Sequence, residues 1–151
     1  MIAVHYATVQ AVSREHYPER ILEAWSPVPD ERRNAWLGGV IAAAGTMSYI
    51  AESEDQTVLG FCFANTEAGM LKALYVHPDA AGQGVGAGLL QHLENHCRSL
   101  GVHALTLNAS YNAEAFYRHH GYATLGPTAQ ELAGGETMGA VSMRKTLVEA
   151  G

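Results

Sequence analysis

The sequence predicts one domain, residues 1–151, of the α/β (α+β) class, in which helices precede and interrupt a largely antiparallel set of strands. Three observations carry this. The length of 151 residues suits a single compact unit with a sizeable core. From Met47 onward, short apolar runs alternate with polar turns. A glycine-dense loop, "DAAGQGVGAGLL" at 79–90, then opens a leucine pattern with helical spacing.

Ile2, Tyr6, Val9 and Val12 recur at helical spacing, and this favours a first helix over the short strand that Ile2, Val4 and Tyr6 would also suit. Pro18 fits a first helical position, and Ile21, Leu22 and Trp25 give the second helix an apolar face before Ser26-Pro27-Val28-Pro29 stops it. Asp30 is placed to cap a third helix ending near Gly38-Gly39 or a little beyond. Runs at 47–52, 57–64 and 69–76 then read as an antiparallel meander.

Beyond the glycine loop, Leu89, Leu90, Leu93, Cys97 and Leu100 keep helical spacing until Gly101, a residue suited to a helix C-terminus. A strand follows at 102–107, a short helix at 112–120 ends before Gly121, and strands at 122–125 and 141–147 close the pattern.

Composition narrows the function classes. With 48% hydrophobic and 16% charged residues the chain is not a disordered one, and no apolar run approaches the roughly 18 residues of a membrane span. The net charge of −6, with scattered basic residues, argues against a general nucleic-acid surface. Cys62 and Cys97 lie far apart, form no C-x-x-C, and Met1 opens no signal-peptide pattern, so a reducing, cytoplasmic setting is expected.

A strand ending near Val76-His77-Pro78, a glycine loop and a helix start place unpaired amides and a positive helix end around one point. Such a point suits a phosphate. A P-loop is excluded because no Lys follows the glycines. The dinucleotide fingerprint can be laid over Gly82, Gly84 and Ala87, but the next strand offers Leu105-Thr106-Leu107-Asn108 where an acidic residue is needed. A turn that merely permits close packing stays open on the loop alone.

Taken together, "LKALYVHPDAAGQGVGAGLL" and "LTLNASYNAEAFYRHHGY" resemble, in order and separation, the GNAT superfamily of acetyl-coenzyme-A-dependent N-acetyltransferases. The resemblance runs from about Met47 to the C-terminus; "HYPERILEAWSP" is similar to a bacterial subgroup. It implies a mixed, mostly antiparallel sheet whose central strands splay at Val76 and near Leu107 to admit coenzyme A. The pyrophosphate would sit on amides of Ala81, Gly82, Gln83, Gly84, Val85, Gly86 and Ala87. Backbone groups of Leu74, Tyr75 and Val76 would hold the pantetheine arm, with help from Ser110 or Asn112.

Departures from the family pattern bear on function. Ala81 stands where the family loop commonly begins with Arg or Gln, so main-chain donors must carry more of the anion. The family's usual first strand is truncated or absent, an edge that a homodimer could complete. Tyr117 falls on the tyrosine that often protonates the departing thiolate, although a half-buried aromatic on a short helix is the plain alternative.

The implied reaction is acetyl transfer from acetyl-coenzyme A to a primary amine by direct attack, with the Val76 amide aimed at the developing oxyanion. The alternative is a coenzyme-A-binding sensor without turnover. The acceptor is open among antibiotics, polyamines, amino acids and protein amines, and so is the base, for which Glu52, Glu67 and His77 are water-mediated substitutes. No metal is expected: His92 and His96 have a chelating spacing without the accompanying Glu of a zinc-protease helix. Trp25 and Trp36 suit an acceptor pocket or plain core. Lys72, Arg98 and Arg118 suit coenzyme phosphates or solvated surface.

Overall fold

A computed structural model describes residues 1–148, so the last three positions of the expected domain lie outside the described residues. Three helices come first: α1 (Ile2–Gln10), α2 (Glu19–Trp25) and α3 (Glu31–Ala42). The Asp30 carboxylate accepts the Arg33 amide at 2.7 Å, the expected cap. Pro18 is extended at φ −69° and ψ 160° and sits just before the first helical residue rather than in it. Helix α3 runs through Gly38 and Gly39, which cost about 1 kcal/mol each relative to alanine. Burial of Leu37, with Val40 and Ile41 packed against the same cluster, offsets that cost.

The meander follows as β1 (Thr46–Glu52), β2 (Val58–Asn65) and β3 (Met70–Val76), all antiparallel neighbours. Helix α4 (Val85–Ser99) leads to β4 (Ala104–Ala109), α5 (Glu114–His119), β5 (Ala123–Glu131) and β6 (Thr137–Thr146). The six strands lie in the order β1-β2-β3-β4-β6-β5, and only the β3–β4 pair is parallel. The sheet is therefore mixed and mostly antiparallel, as expected. Among the described residues no strand precedes the three helices.

Two strand boundaries moved by about four residues or more. Strand β5 continues to Glu131 through Gly126-Pro127, which reads as a turn in sequence. It is an edge strand with a register shift between Thr124 and Gly126, where a missing N–H costs nothing in the ladder. Strand β6 starts at Thr137 rather than 141, and Gly139 lies inside it because the Tyr111 phenol occupies the space a Cβ would need.

Both faces of the sheet are covered. On one face Cys62 and Ala64 of β2 meet Leu89, Leu90, Leu93 and Cys97 of α4. On the other, Phe61 and Phe63 meet Ile2, Val4 and Leu37. The continuous apolar run of β2 follows from this, since a strand buried on both sides loses the alternation of a half-exposed one. Helix α4 is further tied down by Glu94, which accepts from Tyr122 Oη at 2.8 Å and from Lys145 Nζ at 2.9 Å.

Candidate functional site

The parallel strands β3 and β4 are paired only at Met70 and Thr106, the end nearest the β2–β3 turn, and from there they part. His77 N–H donates to Leu59 O at 2.7 Å, so it faces β2. Alternation along a strand then turns the backbone groups of Val76 and Leu74 to the other side, toward the gap left by β4. The Val76 carbonyl accepts from the Thr8 hydroxyl of α1 at 2.8 Å, while its amide faces the gap.

The glycine loop follows β3 and leads into α4. Gly82 has φ +77° and Gly84 has φ +80°, left-handed conformations that a Cβ strains, and an added Cβ at either would meet no atom within 4 Å. Gly84 is the residue before the first helical position of α4. The helix's own bonding starts with Gly88 N–H to Gly84 O at 3.0 Å, so the amides of Val85, Gly86 and Ala87 are helix-start donors without intrahelical acceptors. Ala81 differs: its amide already donates to Pro78 O at 3.2 Å, and the run of available donors starts at Gly82.

Gly86 stands in a packed place instead. A Cβ there would make ordinary contact at 3.4 Å with both Phe116 Cζ and Val76 Cγ2, where α4 meets β3 and α5. Gly86 thus stands at a packing contact, while Gly82 and Gly84 border open space.

A first cavity occupies the gap between the strands. Leu74, Tyr75, Leu107, Ser110, Ala113 and Tyr117 are among its lining residues. Ser110 belongs to this wall, whereas Asn112 is exposed and is not among the lining residues. Tyr117 is 7% exposed, and burial, followed by the nearby Tyr75 and Cys62, holds its phenol above the ordinary value. It is protonated at neutral pH and so carries a proton that it can give up.

A second cavity of about 110 Å³ lies on the α1/α3 side and shares Trp25, Lys72, Ala73, Tyr75 and Gln130 with the first. Trp25 and Trp36 both line it, together with Phe61, Phe63 and His5. His5 was not singled out in the sequence, where it occupies one position of an apolar helix. Its ring lies 4.4 Å from that of Tyr75, edge to face, and Nδ1 is 2.8 Å from Ser26 Oγ. Burial, and then Arg33, lower its pKa to about 4, so it is neutral at physiological pH.

Other candidates lie elsewhere. Glu52, Glu67 and His77 line neither cavity, and His77 Nδ1 accepts the Asp79 amide at 3.1 Å. Arg118 pairs with Glu114 at 2.8 Å, and Arg98 donates to Leu147 O at 3.0 Å. His96 Nδ1 is 2.8 Å from Tyr49 Oη.

Comparison with known proteins bears on this arrangement. A family model described as an acetyltransferase (GNAT) domain matches residues 13–147. The fold is similar to that of a GCN5-related N-acetyltransferase from Rhodopseudomonas palustris, 26% identical with TM-score 0.82 over 96% of this chain and 86% of that one. It is also similar to the PaiA N-acetyltransferase of Thermoplasma acidophilum in complex with coenzyme A: 19% identity, TM-score 0.71, over 96% and 89% of the two chains. A phosphinothricin acetyltransferase from Sinorhizobium meliloti in complex with acetyl-coenzyme A is 23% identical, with TM-score 0.65 over 93% and 84%. No curated protein matches the chain by sequence.

Proposed function

Because the chain belongs to the acetyltransferase (GNAT) domain family and is an acyltransferase, we propose that it transfers acetyl from acetyl-coenzyme A to a primary amine by direct attack. One observation carries the reading: the open edge of β3 and the buried phenol of Tyr117 line one gap in the sheet, and the start of α4 packs on Val76 at the end of that edge through Gly86. The donor set fits the cosubstrate, since amides at a helix start suit a pyrophosphate and an open strand edge suits the amides of a pantetheine arm.

In this reading Gly82 through Ala87 bind the pyrophosphate through the main chain, Ala81 contributing shape rather than its amide. Leu74, Tyr75 and Val76 hold the pantetheine arm, Ser110 assists from the β4 side, and the Val76 N–H receives the developing oxyanion. The thioester supplies the acyl group; the amine nitrogen forms the new C–N bond as the C–S bond breaks.

Tyr117 donates a proton to the departing thiolate. A raised phenol pKa makes it a weaker acid, but burial raises a thiol as well: Cys62, in the same core, is pushed up to about 12 by desolvation. Burial disfavours the phenolate and the thiolate alike, so it moves the two proton affinities in the same direction.

A reducing, cytoplasmic location accords with the two buried free cysteines. A homodimer would find unpaired strand edges at β1 and β5, and sedimentation distinguishes it from a monomer. Release of free thiol from acetyl-coenzyme A, measured against a panel of amines, tests the central reading. Amine-dependent thiol release supports it; coenzyme binding without turnover across the panel contradicts it and favours a sensor.

A further inference from the structure

The second cavity selects among amines by its composition, an inference that rests on the acetyltransfer reading above. Trp25, Trp36, Phe61, Phe63 and Tyr75 make its walls aromatic. Its size, about 110 Å³, is close to the roughly 150 Å³ that accommodates a benzene ring in an engineered core cavity. Among the described residues neither cavity is lined by an Asp or Glu.

The charges that are present are positive. Lys72 lines the wall common to both cavities, and among the described residues no carboxylate lies within 4.0 Å of its ammonium. The Arg33 guanidinium sits 4.7 Å from the centre of the Trp36 ring, and its Nε is buried without an acceptor among the described residues. His5 adds a neutral imidazole. A polyamine or aminoglycoside would bring several cations into aromatic walls beside these charges, with no carboxylate to offset their desolvation.

The shared wall decides how an acceptor would branch. Lys72, Gln130, Trp25 and Tyr75 stand where the two cavities meet. We propose that the acceptor is an aromatic amino acid: its ring fills the second cavity, its carboxylate meets Lys72 at the shared wall, and its α-amine points into the first cavity toward the thioester. The α-nitrogen forms the amide with the acetyl carbon, the thiolate leaves, and the proton lost by nitrogen balances the one gained by sulfur. The products are the N-acetyl amino acid and free coenzyme A.

The test compares kcat/KM for phenylalanine, phenethylamine, alanine and spermidine with acetyl-coenzyme A, in the wild type and in Lys72→Met. Phenylalanine should exceed phenethylamine, which lacks the carboxylate, and alanine, which lacks the ring, each by at least about tenfold. Lys72→Met should narrow the phenylalanine-to-phenethylamine ratio about tenfold, and Lys72→Arg should restore most of it. Spermidine as the best acceptor, equal rates for phenylalanine and phenethylamine, or an unchanged ratio in Lys72→Met would each overturn the proposal. Calorimetric titration with coenzyme A separates the two layers: binding with the wrong acceptor order sinks this proposal alone, whereas no binding sinks the acetyltransfer reading itself.

Discussion

The indole N–H of Trp25 donates to the phenolic oxygen of Tyr75 at 3.2 Å, and this bond ties α2 to β3 on the wall between the two cavities. The Tyr75 phenol is pushed up to about 12, chiefly by burial, so the pair stays neutral across the physiological range. Tyr75→Phe leaves a half-buried indole N–H without its acceptor, at a cost of about 1–3 kcal/mol in urea unfolding. In kinetics it should raise KM for the acceptor more than KM for acetyl-coenzyme A; the opposite order would separate this wall from acceptor binding.

Tyr117→Phe removes one oxygen without changing ring volume. If the phenol protonates the thiolate, kcat falls by about 10²–10⁴-fold while KM for acetyl-coenzyme A changes little. Single-turnover thiol release reads the chemical step directly, and an unaltered rate there would assign Tyr117 to packing against Phe116 and Tyr122.

The glycines of the loop should separate by role. Gly84→Ala places a Cβ at φ +80° and strains the start of α4 by about 1–2 kcal/mol, weakening coenzyme A binding in a calorimetric titration. Gly86→Val crowds Phe116 and Val76 and lowers stability by about 1–3 kcal/mol. Gly88→Ala enters open space inside a helix and should stabilise by about 0.5–1 kcal/mol.

Glu94 is 5% exposed and satisfied by Tyr122 and Lys145. Lys145→Met leaves its carboxylate without a counter-charge and should cost about 3 kcal/mol in denaturant unfolding. The double variant Glu94→Gln with Lys145→Met removes the stranded charge as well and should recover more than half of the loss.

His5 sets a pH dependence of stability. Its pKa falls from 6.5 unfolded to about 4 folded, so between these values the unfolded chain binds the extra proton. The contribution of His5 is complete above pH 6.5 and is lost as pH falls toward 4, at most about 3 kcal/mol in total. Urea midpoints at pH 7 and pH 4.5 should therefore differ less in His5→Asn than in the wild type. An equal difference would mean that His5 is not buried neutral.

Much of this architecture was legible because local signals agree with the tertiary contacts. Asp30 caps α3 through its own carboxylate, and Gly101 ends α4 with φ +79°. Strand β5 was read too short because Gly126-Pro127 is a turn signal on a local view, and only its edge position makes proline tolerable. In the site, Tyr117 and the loop were visible as spaced motifs. His5 was not, since its role comes from contact with Tyr75, 70 residues away, and a histidine in an apolar helix carries no local mark. Likewise the spent amide of Ala81 depends on a turn through Pro78 that composition does not specify.

Amide hydrogen exchange with and without saturating coenzyme A tests the central claim most directly. Protection is predicted at Val76 and Leu74 on the open edge of β3 and at Gly82 through Ala87, with Ala81, already bonded to Pro78, changing least. Coenzyme A binding that leaves the loop and β3 unprotected, or protects another surface, would contradict the account.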